Sequence, residues 1–213
     1  MSSPTSIKKA PLEAANQNTQ FVRPSAEEAM DAVRTLIRWA GDNPAREGLI
    51  DTPKRVVEAY REFYAGYDED PDSILAKTFE EVAGYDEVVL LKNMQFESHC
   101  EHHMVPIIGR AHIAYLPDKK VVGISKLARL LDVFAKRLQT QELMTAQIAD
   151  TIERVLAPKG VAVIIDANHE CMSTRGVHKT GSTTVTTQMR GLFKTDKDAR
   201  AEMMRLVTSS DVG

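Results

Sequence analysis

Long apolar runs are missing from this chain. The best are Val88–Leu91 and Val161–Ile165, far short of the roughly 20 residues a membrane-spanning helix needs. No charge sign dominates either. Lys and Arg number 27 against 30 Asp and Glu, a net charge of -3, which is not the footprint of a nucleic-acid binder. Cysteine is scarce: Cys100 and Cys171 are the only two, and no C-x-x-C pair exists. That excludes a disulfide framework. It also excludes the H-x-E followed by P-C-x-x-C pattern of zinc nucleoside deaminases. The first 20 residues have no apolar segment and no Arg, and carry Glu13, so they resemble neither a secretory signal nor a transit peptide. Residues 1–22 read as a flexible tail on a cytoplasmic protein.

What is present fits one domain with a helical extension, since 213 residues can bury a substantial core. Ser25 followed by Glu28 is a capping box, opening a helix over about 26–40 with apolar Ala29, Val33, Ile37 and Ala40 at helical spacing. Thr52-Pro53 places a cap and a first-turn proline on a second helix running to about Tyr64, with Lys54 and Arg55 in its first turn. This helical part spans 23–66 and a catalytic domain follows over 67–213. There the pattern changes to strands. Glu87–Lys92, Met94–Glu97, Gly109–Leu116, Val161–Ala167 and Thr183–Met189 are the candidates. Two helices lie among them, one opening at Ser125 and one after Thr140, and a short helix near Asp196–Val207 closes the pattern. The order predicts an α+β fold: a mainly antiparallel sheet with two helices on one face.

Ligand chemistry concentrates in two places. His99-Cys100-Glu101-His102-His103 carries Cys100 and His103 three apart, which one tight turn brings to the same side. His169-Glu170-Cys171 follows the Val161–Ala167 strand, and a chain that stays extended there aims His169 and Cys171 the same way. Two thiolates and one imidazole suit zinc and leave its fourth position to water, as in catalytic sites. Against this, Cys-x-x-His arises by chance, and a lone buried cysteine usually acts as a small hydrophobe. A closed structural site with His169 or His102 as fourth ligand also satisfies the spacing.

Five blocks then carry a family resemblance: His99–Pro106, Gly109–Tyr115, Gly123–Arg129, Arg137–Glu142 and His169–Val177. In this order and spacing they resemble GTP cyclohydrolase I, over about Thr52 to Lys194. Two departures are Glu170, where many members are apolar, and Asp166 in place of a usual Glu. The resemblance implies the tunnelling fold and a homodecamer with active sites between subunits, a way of pairing exposed sheet edges. It implies Zn2+ held by Cys100, His103 and Cys171. The implied reaction is hydrolytic opening of the GTP imidazole ring, loss of formate and formation of 7,8-dihydroneopterin triphosphate.

The same resemblance distributes the remaining roles. His102 and His169 move protons, a task for groups that titrate near neutrality. Glu142 accepts from N1–H and the 2-amino group of guanine, which adenine cannot offer; its plainer role is to favour a helix start. Gln141 assists through its amide. Lys126 and Arg129, one turn apart at a helix start, take the triphosphate together with Arg175 and Arg55. Ser125 either reaches the ribose or phosphates or serves as N-cap. The competing functions are a tunnelling-fold relative acting on another purine or pterin, and a binding module with a structural zinc. No nucleic-acid or membrane partner is expected.

Overall fold

In the computed structural model, residues 22–79 and 85–209 are described. The expected tail lies almost wholly outside them. The chain clusters into two compact units, 1–58 and 59–213.

The first unit holds α1 (Ala26–Trp39) and most of α2 (Thr52–Phe63). Helix α1 starts at the predicted capping box: the Ser25 hydroxyl accepts from Glu28 N–H, and the Glu28 carboxylate accepts from Ser25 N–H at 2.8 Å. The connection is clamped by Arg46, whose Nε and Nη2 donate to the two Asp42 carboxylate oxygens at 2.9 and 2.7 Å. That fork holds the Asp42 carboxyl down at about 2.

In the second unit a 3₁₀ turn (Ala65–Asp68) and α3 (Pro71–Leu75) precede β1 (Thr78–Phe79), β2 (Val89–Cys100), β3 (Pro106–Leu116) and β4 (Val121–Val122). Helix α4 (Ile124–Ala135), β5 (Leu138–Gln139), α5 (Gln141–Leu156) and β6 (Gly160–His169) follow. The chain continues through α6 (Glu170–Ser173), β7 (Thr183–Gly191), α7 (Leu192–Thr195) and α8 (Lys197–Thr208). Strands β1 and β4 pair separately, while the main sheet runs β5-β2-β3-β6-β7. Its long pairings are all antiparallel, and the short β5 lies parallel to β2.

Alternation along the strands makes the core. Ile107, Ala111, Ile113 and Tyr115 of β3 and Val161, Val163 and Ile165 of β6 share one buried cluster with Leu127, Leu131 and Phe134 of α4 and Met144, Ile148 and Ile152 of α5. Each Val, Leu, Ile, Phe or Met among them removed from water contributes about 1.5–3 kcal/mol. The intervening residues Ala114, Ala162 and Ile164 form a second cluster with Phe193 of α7 and Met203 of α8. The chain thus has the α+β arrangement expected, two helices on one sheet face, with the C-terminal helices packed against the other. Close backbone approach is marked at Gly109, where a Cβ would come within 2.2 Å of the Asp166 carbonyl oxygen.

Candidate metal centre

Strand register carries the ligand-bearing segments to one end of the sheet. Cys100 ends β2, His99 pairs with Pro106, and the loop between holds Glu101 to Val105. The loop closes on itself: Cys100 N–H donates to the Val105 carbonyl at 2.9 Å and Met104 N–H to the Cys100 carbonyl at 2.8 Å. Met104 takes a left-handed φ of 53° to allow it. Ile107 of β3 pairs with His169, so the end of β6 arrives beside this loop. Cys100 also pairs with Gln139 of β5, which leads directly into the start of α5.

Cys100, His103 and Cys171 meet there, with one ligand atom from each all within 4.8 Å of one another. Cys100 is buried, His103 exposed and Cys171 half-buried. Burial pushes the Cys171 thiol up, and the adjacent Cys100 sulfur pushes it further. The Cys171 thiolate is therefore disfavoured when free, and a cation between the two sulfurs and the imidazole would reverse the sign of that repulsion. The donor set therefore fits a soft or borderline divalent metal such as zinc. His102 is exposed, its Nδ1 3.7 Å from Cys100 Sγ and its Nε2 3.8 Å from a Glu101 carboxylate oxygen.

Cys171 reaches the cluster differently from the extended path expected. The strand ends at His169, and Glu170–Ser173 is one helical turn, so His169 and Cys171 do not alternate as strand neighbours. The turn is fastened by Ser173 Oγ, which donates to the Glu170 carboxylate at 2.7 Å. Glu170 thus has a local hydrogen-bonding partner.

His169 is half-buried, and burial lowers its pKa while nearby Glu142 pulls it back up. Its Nε2 lies 2.8 Å from Gln141 Oε1. Gln141 is fully buried, and its amide is engaged within the protein. Glu142, the next residue, is exposed. Thr140 caps α5 by accepting from Leu143 N–H at 3.3 Å.

The cationic candidates are spread more widely. Arg175 is exposed and donates from Nη1 to His103 Nε2 at 2.9 Å. Ser125, Lys126 and Arg129 lie on the first turns of α4, Ser125 and Arg129 exposed and Lys126 half-buried. The cap of α4 is Gly123, without a side-chain cap bond, so the Ser125 hydroxyl is not spent on capping. Arg129 also borders a cavity of about 370 Å³ along α4, shared with Gly66, Glu69, Asp132 and Lys136. The metal donors do not line it. Arg55 belongs to α2 and pairs with Asp51 at 3.3 Å. Sequence reasoning missed the Gly123 cap and the His103–Arg175 contact, neither of which has a local pattern to announce it.

A family model described as GTP cyclohydrolase I matches residues 29–208. The GTP cyclohydrolase 1 of Hyphomonas neptunium is 63% identical over 184 residues, covering 86% of this chain and 89% of that protein. The GTP cyclohydrolase 1 of Maricaulis maris is 60% identical over 185 residues, covering 87% and 90%. Among solved structures, an archaeosine synthase QueF-like chain in its apo form is similar with a TM-score of 0.41 and 17% identity, covering 49% of this chain and 93% of that one. No described helix is long and apolar enough to cross a membrane.

Proposed function

The chain belongs to the GTP cyclohydrolase I family, and from that premise we propose that it hydrolyses the imidazole ring of GTP. C8 leaves as formate, and the remaining atoms close to 7,8-dihydroneopterin triphosphate. The observation that carries this reading is the convergence of Cys100, His103 and Cys171, far apart in sequence, at the sheet end that also holds His169 and the start of α5.

Cys100, His103 and Cys171 are the residues to hold Zn2+. When bound, the ion supplies Lewis acidity and a water activated at neutral pH. The chain's own groups do the rest. His102, exposed beside the donors, and His169, kept neutral by burial, exchange protons with the guanine and ribose atoms as bonds break and form. Glu142 offers an exposed carboxylate to N1–H and the 2-amino group, and the same carboxylate faces no donor pair on adenine. Arg175, Lys126, Arg129 and Arg55 bind the triphosphate, and the uncommitted Ser125 hydroxyl reaches the ribose or phosphates. Gln141 belongs to the site through its contact with His169.

The working unit in this reading is a cytoplasmic homodecamer with sites between subunits. What supports assembly is the outer strand β7, whose Val185 is 59% exposed, and the exposed Ile108 on β3, two strands away in the same sheet. The test is direct: purified, zinc-loaded protein incubated with GTP yields formate and a fluorescent pterin, and a chelator stops both. Absence of either product from zinc-loaded protein overturns the reading. Native mass measurement tests the decamer separately.

A further inference from the structure

One buried amide controls how His169 is presented. Gln141 is the first residue of α5 and has 0% exposure, so no substrate atom reaches its side chain. Its Nε2 lies 3.0 Å from the Ile165 carbonyl oxygen, 2.8 Å from the Thr184 carbonyl oxygen and 3.2 Å from Thr186 Oγ1. Two of these partners can only accept. Turning the amide over would press Oε1 against two carbonyl oxygens, so its orientation is settled by chemistry.

The hydroxyls fall into line behind it. Thr145 Oγ1 donates to the Gln141 carbonyl at 2.6 Å, which spends its single proton. Thr186 Oγ1, 2.7 Å from Thr145 Oγ1, is then the donor of that pair. It keeps a lone pair for Gln141 Nε2. Oε1 is left as an acceptor facing His169 Nε2 at 2.8 Å, and an acceptor there requires an N–H opposite.

We propose that Gln141 is a positioning residue that fixes the tautomer and ring orientation of His169, so that Nε2 carries the ring proton and Nδ1 is the nitrogen that exchanges protons with substrate. Helix start and sheet are coupled through it: the amide bridges β6 at Ile165 and β7 at Thr184 and Thr186, and holds the imidazole at the end of β6. The residue serves the reaction without touching substrate, and its neighbour Glu142 is the one that faces solvent.

The inference rests on His169 being a proton-transfer group, and the two claims fail separately. Gln141→Met keeps length and apolar volume but removes the acceptor. Its kcat falls on the order of 100-fold, the scale of one general acid–base group. Its KM for GTP stays within about threefold and zinc content is unchanged, because ground-state binding is not what was removed. Combined with His169→Ala, it costs nothing further. A raised KM at wild-type kcat, or losses that add in the double variant, overturns the proposal. Should Gln141→Met not fold, ¹⁵N spectra of histidine-labelled zinc enzyme read the wild-type ring directly, with the His169 signal identified by its disappearance in His169→Gln. A proton on Nε2 is expected; a proton on Nδ1 alone overturns it. Wild-type turnover by His169→Ala would instead sink the proton-transfer role and leave the tautomer measurement standing.

Discussion

Arg175 Nη1 donates to His103 Nε2 at 2.9 Å, so a phosphate-binding candidate touches a metal-ligand candidate. Arg175→Ala is expected to raise the KM for GTP about 10- to 100-fold, the worth of a lost charged hydrogen bond, with zinc retained. Binding of guanosine, which has no phosphate, should be unchanged. Competition assays with GTP and guanosine check this, and an equal loss for both ligands would assign Arg175 elsewhere.

Cys171→Ala leaves one sulfur and one imidazole. We expect the purified variant to contain no stoichiometric zinc, because two ligands do not make a stable site. Elemental analysis decides it. Full zinc content in that protein removes Cys171 from the ligand set.

His102→Ala separates metal binding from proton transfer. Zinc content should match wild type while turnover drops about 10²- to 10⁴-fold. Parallel metal and pterin-fluorescence assays read the two quantities, and zinc loss in this variant would make His102 a ligand.

Glu142→Ala should leave melting temperature and zinc unchanged, since the side chain is exposed, while weakening GTP by about 10- to 100-fold, the discrimination of one good bidentate contact. Calorimetric titration with GTP and ATP measures it. Unaltered preference for GTP over ATP rules the carboxylate out as the guanine reader.

In the first unit, the Arg46 fork depresses Asp42 from its ordinary 3.8 to about 2. A lowered carboxyl stabilises the fold above its unfolded value and loses that contribution as pH falls through its folded value. The loss therefore lies between about pH 4 and 2, and salt weakens the effect because both groups are exposed. Arg46→Ala should raise the Asp42 titration, followed by carbon NMR, towards the ordinary range, the Asn43 N–H at 2.7 Å keeping the remainder of the depression; an unmoved titration would assign the whole shift to that backbone N–H.

Local signals were readable in the sequence and distant ones were not. The Ser25–Glu28 capping box needs only residues three apart and appears as read, and the helix expected after Thr140 starts there. The β-rich runs Gly109–Leu116 and Val161–Ala167, also local signals, fall within β3 and β6. The turn at Glu170–Ser173 is too short for any period to register, so Cys171 was expected on an extended chain. The face chosen by α8 depends on Phe193 and Met203 finding Ala162 and Ile164, a tertiary matter. Gln141 was expected to assist at the substrate site through its amide. Its enclosure exists only because β6 and β7 pair beside it, which no local pattern encodes.

The pairing of His99 with Pro106 and of Ile107 with His169 makes metal capture a check on assembly. Sliding β2 or β6 by a single position would swing Cys100 or His169 to the opposite surface of the sheet. A polypeptide that zipped up one step out of phase would then be unable to chelate, and the ion would reward only the correctly threaded form.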